Sequence, residues 1–170
     1  MPFGFGLSYT SFKYEFAAPA PASADLAPLR ALLAGAKKSG KGPAFPSLAA
    51  AATAAPAIQY SVKVTNTGAV DSDDVVLGFL TPPGAGKGGV PLSQLFGFER
   101  VHLKAGESTT VWLYPSLTDF ALADAATGER APLLGEYKVS FGLKQAAEHG
   151  MGYLETTLTA HETRAVVEAA

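Results

Sequence analysis

The chain has 170 residues, a formal net charge of −2 and no cysteine. That length fits one domain with a substantial core. The missing thiols exclude disulfides, Cys-ligated zinc and thiol nucleophiles, and the scattered Lys and Arg form no basic face for nucleic acid.

No apolar run approaches the roughly 18 to 20 residues of a membrane span, and Met1-Pro-Phe-Gly4 lacks the basic and apolar regions of a signal peptide. In the first block Phe3, Phe5, Leu7 and Tyr9 alternate in an extended segment, where Gly4 and Gly6 permit close backbone approach. Phe12 to Phe16 alternates apolar and polar residues and predicts the first strand. Residues 18 to 56 then turn to Ala, Pro, Gly and Ser, which offer little apolar surface against their ordering entropy and predict a largely irregular insertion. Within it, Asp25 as a cap, Leu26, Leu29, Leu32 and Leu33 at helical spacing, and Gly35 as a stop predict one short helix on the sheet edge.

Regular structure resumes at Ile58 to Val64, with Ile58, Tyr60, Val62 and Val64 on a core face and Gln59, Ser61 and Lys63 outward. Asn66-Thr67-Gly68 predicts a turn, and Val75 to Leu80 a nearly continuous apolar strand buried on both sides. After a Gly/Pro loop from Pro82 to Pro91 come strands at Leu95 to Leu103, Thr109 to Tyr114, Phe120 to Ala123 and Glu136 to Phe141, with Leu154 to Thr159 as an extra edge strand. Short strands at intervals of roughly 8 to 12 residues predict an all-β antiparallel sandwich of about seven or eight strands. The whole chain, 1–170, is read as a single domain.

The motifs that could carry chemistry are incomplete. Gly35-Ala-Lys-Lys-Ser-Gly40-Lys41 matches part of a phosphate-binding loop, but Gly42 replaces the Mg²⁺-binding hydroxyl and Pro43 blocks the following helix. Gly84 to Gly89 reads as a flexible loop. His161-Glu162 begins a zinc-helix motif that has Ala165 in place of the second His, and spacing does not bring His102, His149 and His161 together, so neither metal nor cofactor is expected. Ser8 lacks the second Gly of a nucleophile elbow, since Thr10 stands there. Asp71-Ser-Asp-Asp74 reads as a polar hairpin rim, and no pair of carboxylates is placed for glycoside hydrolysis. Trp112 and Tyr114 share a strand face opposite Val111 and Leu113. That face is expected to be covered by another element, because Trp is usually buried; if it is open, the pair would stack sugar rings.

Two blocks, Pro2-Phe-Gly-Phe-Gly-Leu-Ser-Tyr-Thr-Ser-Phe12 and Gln94-Leu-Phe-Gly-Phe-Glu-Arg-Val-His-Leu-Lys-Ala-Gly-Glu-Ser-Thr-Thr-Val111, resemble the fibronectin type III-like domain that ends glycoside hydrolases of family 3. The likeness continues in Val62 to Gly68, Asp73 to Leu77 and Leu134 to Gly142. Pro82-Pro83 with the loop after it, and Leu154 to Leu158, look most like the plant-type β-xylosidase and arabinosidase branch. The resemblance implies an immunoglobulin-like sandwich and a non-catalytic accessory role. It also implies an extracellular or secretory setting, and catalytic domains as partners that precede this one in the chain. It makes Met1 resemble an added initiator, and the chain an excised domain or fragmentary gene product. On this reading Phe3, Phe5, Leu7, Tyr9 and Phe98 pack at an interdomain junction, and Trp112, Tyr114 and Tyr153 are the candidates for stacking polysaccharide. Nothing in the residues separates a bracing domain from an independent polysaccharide-binding, adhesion or scaffold module.

Overall fold

The computed structural model describes residues 8–38, 58–124 and 127–163. Their strands build two sheets that share one core. The three-stranded sheet has the order β1 (Phe12–Phe16), β3 (Tyr60–Asn66), β6 (Ser108–Leu113), all antiparallel. The five-stranded sheet runs β2 (Ser23–Asp25), β10 (Leu154–His161), β9 (Gly135–Phe141), β4 (Ser72–Thr81), β5 (Gln94–Leu103). The chain is an all-β, fibronectin type III-like sandwich.

Alternation decides which side chains meet between the sheets. Phe12, Tyr14, Tyr60, Val62, Val64, Val111 and Leu113 from one sheet face Val76, Leu80, Tyr137, Val139, Phe141 and Leu158 from the other, all buried in one cluster. Tyr60 and Phe141 lie 5.3 Å apart between ring centroids, and Phe16 meets Phe141 edge-on at 5.9 Å. Such tilted aromatic pairs add to the stabilisation from area burial alone. Across the β4–β5 pair the register shifts between Gly78 and Phe79. A Cβ on Gly78 would run into the Phe96 ring, so the missing side chain lets the bulge close.

Several elements differ from the sequence reading. Val75 to Leu80 is buried on one face only, with Val75 exposed and Leu77 and Phe79 half-buried. Leu154–His161 is an interior strand, paired antiparallel with β9 and parallel with β2, and not an edge. Ser23–Asp25 supplies that parallel edge, and the Leu26 N–H continues the ladder by donating to His161 O at 2.7 Å. The first part of the expected irregular insertion is therefore ordered; residues 39 to 57 lie outside the described residues. The helix is present as α1 (Ala27–Lys38), with Asp25 Oδ1 accepting from the Ala27 N–H at 2.9 Å. It runs past Gly35, so that glycine is no stop. Leu26 and Leu29 are wholly buried, which makes the α1 junction part of the core.

Phe120 belongs to a 3₁₀ turn, Leu117–Phe120, and only Ala121–Ala123 (β7) is a strand. It pairs with β8 (Arg130–Pro132) in a small separate ribbon that the sequence did not suggest. Phe120 packs on Tyr137 at 5.0 Å, and the Leu133 N–H donates to Phe120 O, so the ribbon caps one end of the sandwich. A one-turn helix, α2 (Lys144–Ala147), precedes β10.

Candidate functional site: two outward faces of the sandwich

The core encloses polar groups as well as rings. Tyr14 Oη, from the three-stranded sheet, donates to Asp74 Oδ2 in the other sheet at 2.7 Å, and both residues are buried. Asp74 Oδ1 accepts from the Val75 N–H at 2.9 Å. Burial pushes the Asp74 carboxyl up, against the lowering effect of these two hydrogen bonds, and burial with the neighbouring Asp74 pushes the Tyr14 phenol up. Asp71, Ser72 and Asp73 do form a polar rim, but Asp74 does not belong to it. Its phase with Val76 and Leu80 along β4 was the available signal.

Asn66, expected in a turn, ends β3 fully buried. Its Oδ1 accepts from Thr10 Oγ1 at 2.7 Å and from the Gly68 N–H at 3.1 Å, while Nδ2 donates to Val70 O and Leu103 O at 2.8 and 3.1 Å. All its hydrogen-bonding capacity is used to anchor three loops. Both buried groups are structural ties between elements of the sandwich. Among the described residues no three His, Asp or Glu side chains gather where a metal ion could be held. The Gly84, Gly86, Gly88 and Gly89 loop folds on positive-φ glycines, and Gly35 to Lys38 continue α1, so the described part of the phosphate-loop motif is helical.

What remains for function is the outside. On the five-stranded sheet Leu77 lies opposite Phe98, Phe79 opposite Leu95 and Val75 opposite Arg100. Phe98 is 64% exposed and Leu95 50%. Beside this apolar strip Asp73 accepts from Arg100 Nε at 3.0 Å, and its Oδ1 lies 2.6 Å from His102 Nδ1. The Arg100 guanidinium, then His102, holds the Asp73 carboxyl below the usual carboxylate range. Tyr153 is half-buried before β10, and its hydroxyl donates to Glu155 Oε2 at 2.5 Å. Burial and that carboxylate push the phenol up to about 12.

The opposite outer face belongs to the three-stranded sheet. Trp112 is 47% exposed and Tyr114 52%, so among the described residues no element covers them as expected. The structure does not bring Tyr153 to this face; it sits against the other sheet's outer residues Ser140 and Glu155. Of the N-terminal candidates, Phe3, Phe5 and Leu7 lie outside the described residues. Tyr9 is 94% exposed, while its neighbour Thr10 is buried on Asn66.

This architecture, two antiparallel-dominated sheets with a shared core and chemistry left to the outer faces, defines a fibronectin type III-like module. Residues 74–145 match the model of the fibronectin type III-like domain. The chain is 30% identical over 143 residues to beta-D-xylosidase 1 of Arabidopsis thaliana, covering 83% of this chain and 18% of that protein. Among solved structures it superposes on a β-glucosidase from Erythrobacter marinus with a TM-score of 0.63 at 26% identity, covering 94% of this chain and 17% of the other. With the GH3 β-glucosidase of Bifidobacterium adolescentis the TM-score is 0.58 at 26% identity, over 92% and 18%. The chain belongs to the fibronectin type III-like domains of glycoside hydrolase family 3. It spans less than a fifth of the length of the relatives it matches.

Proposed function

We propose that the chain is a non-catalytic accessory domain of a β-xylosidase-like or β-glucosidase-like glycoside hydrolase of the extracellular or secretory space. In this reading it braces the catalytic domains through the outer face of its five-stranded sheet. The observation that supports this docking face is the strip of Val75, Leu77, Phe79, Leu95 and Phe98, aliphatic and aromatic side chains left in contact with water on a sheet whose inward Val76, Leu80, Tyr137, Val139, Phe141 and Leu158 are buried in the core. Covering such a strip stabilises an assembly by roughly 25 cal/mol per Å² of apolar surface removed from water. The Arg100–Asp73–His102 cluster at its rim supplies charge-assisted hydrogen bonding that orients a partner.

The coding sequence flanking this domain tests the reading. It should encode a barrel and an α/β domain, and that catalytic portion, expressed separately, should bind this chain and melt at a higher temperature in its presence. Phe98→Ser combined with Leu95→Ser should abolish the binding and leave the domain's own melting temperature within a degree or two, as surface substitutions do. A flanking sequence without a glycosidase, or binding indifferent to the double substitution, overturns the proposal.

A further inference from the structure

We infer that the outer face of the three-stranded sheet is a stacking platform for β-linked polysaccharide, with Trp112 and Tyr114 as the two sugar-binding rings. The two side chains are alternate residues of one edge strand and its continuation, so their attachment points are roughly 6.7 Å apart along the chain. That is the scale of one pyranose residue, and two rings in line offer successive sugars a face each. β-linked equatorial pyranoses are flat and carry axial C–H groups on both sides, which suits the negative face of an aromatic ring.

The surroundings decide the class of occupant. Trp112 lies opposite Ser61, and the next row in the same register is Thr110, Lys63 and Glu15, followed by Ser108, Thr65 and Lys13. Ser61, expected from the alternation to face outward, is buried at 4% exposure; apart from the two rings, the exposed and half-exposed positions of these rows carry hydroxyl, ammonium or carboxylate groups. The Phe98 face differs: the outward positions of β4 and β5 beside the ring are aliphatic or aromatic, with Arg100, Asp73 and His102 at one end of the strip and Ser140, Lys138 and Glu155 on the strands beyond it. A protein partner gains most from covering aliphatic area, whereas a polyol gains from an isolated aromatic face and hydrogen-bonding neighbours. Thr110, with Lys63 beside it, supplies that hydrogen bonding, because Lys63 is an exposed ammonium and Thr110 an exposed hydroxyl. The two faces are on opposite outer sides of the sandwich, so a domain held by Phe98 would still present Trp112.

Trp112 is the one tryptophan of the chain, so its fluorescence reports on the proposed platform without a substitution. Titration with xylohexaose and with cellohexaose should shift or quench that emission saturably for at least one of them, and an α-linked dextran oligosaccharide should not. In native gels containing soluble xylan or hydroxyethylcellulose the chain should be retarded. Trp112→Ala should weaken retardation about tenfold or more and Tyr114→Ala by less, with Phe98→Ser retarded like the wild type. Unchanged emission with both β-linked oligosaccharides overturns the inference, as does equal retardation of Trp112→Ala or an equal response to dextran. Should Trp112→Ala fail to fold, the wild-type fluorescence and Tyr114→Ala decide the matter. None of these failures touches the docking reading, which rests on the other face and on binding to a protein.

Discussion

Replacing Tyr14 by Phe removes one oxygen and leaves the ring in place, so its effect isolates the buried tie between the sheets. The hydroxyl donates to Asp74 Oδ2 at 2.7 Å, and among the described residues the other hydrogen bond to that carboxylate comes from the Val75 N–H. Without the donor, a buried carboxylate oxygen is left unsatisfied, which costs about 2 to 3 kcal/mol for a charged group. For a domain of this size that lowers the melting temperature by roughly 5 to 10 °C. The pH dependence gives a second reading. Because burial raises the folded Asp74 pKa, this group contributes stability that is fully present below the ordinary carboxylate pKa and is lost as pH rises through the folded value. The Tyr14 hydrogen bond is one of the causes that limit that rise, so its removal enlarges the loss toward neutral pH. Thermal melts of both proteins should therefore differ most near pH 7 and converge as the pH falls below the ordinary carboxylate range, where a protonated Asp74 no longer needs the donor. Taking the difference at each pH removes the opposite contributions of Asp25, Asp73 and Glu155, whose carboxyls are held low in both proteins. Equal melting temperatures, or a difference that is constant with pH, would refute the role given to this pair.

Leu29→Ala should destabilise the domain by about 2 to 5 kcal/mol in urea unfolding, since a wholly buried side chain leaves a cavity; a surface-like change would mean that α1 does not belong to the core. Asn66→Ala strands the Thr10 hydroxyl, the Gly68 N–H and two carbonyls, and should cost at least about 2 kcal/mol by the same measurement. Gly152→Ala would place a Cβ against the Tyr14 ring and should lower the melting temperature by several degrees, at a cost of about 1 to 3 kcal/mol. The purified chain should release no 4-nitrophenol from β-xyloside, α-arabinoside or β-glucoside substrates above a buffer control, and turnover surviving re-purification would contradict the accessory reading.

The strands that were legible in the sequence are those that carry their own alternation. Phe12–Phe16 and Tyr60–Asn66 each place aromatic and β-branched residues at every second position, and period-2 patterning is sufficient to fix both strand and face. Ser23–Asp25 carries no such pattern. Its pairing is set by β10, 130 residues and more away in sequence, and no local window contains that information. The same holds for the place of Leu154–His161 inside the sheet, because centrality depends on β2 arriving beside it. Val75 to Leu80 misled for another reason. A continuous apolar run normally means burial on both faces, but here its outward half, Val75, Leu77 and Phe79, lies on the open face beside Phe98. Periodicity alone reads an apolar outer face as core. Trp112 shows the converse bias, since the rule that Trp is buried describes ordinary cores, and here the ring is 47% exposed on the outer face of β6.

Both outward aromatic sites come from one short stretch of chain. β5 carries Phe98, β6 carries Trp112, and the turn at Lys104 to Glu107 takes the chain from one sheet to the other. Each is the edge strand of its sheet, and the two strands are in contact on one side of the sandwich. Their inward residues, Phe96 and Leu113, lie in or against the shared core, with a Cβ built on Gly97 coming 3.4 Å from Leu113 Cδ2. Alternation from Leu113 turns Trp112 outward, and the bulge opposite Gly78 and Phe79 lets Phe96 turn inward while Phe98 stays on the outer face across from Leu77, so Phe98 and Trp112 point away from each other, about one sheet-to-sheet spacing apart, roughly 10 Å plus the side chains themselves. A partner seated on Phe98 and a polysaccharide on Trp112 would thus load the same arch from opposite sides without competing for surface. Because the arch is fixed by packed core residues and not by a mobile loop, the geometry between the two contacts is set when the domain folds.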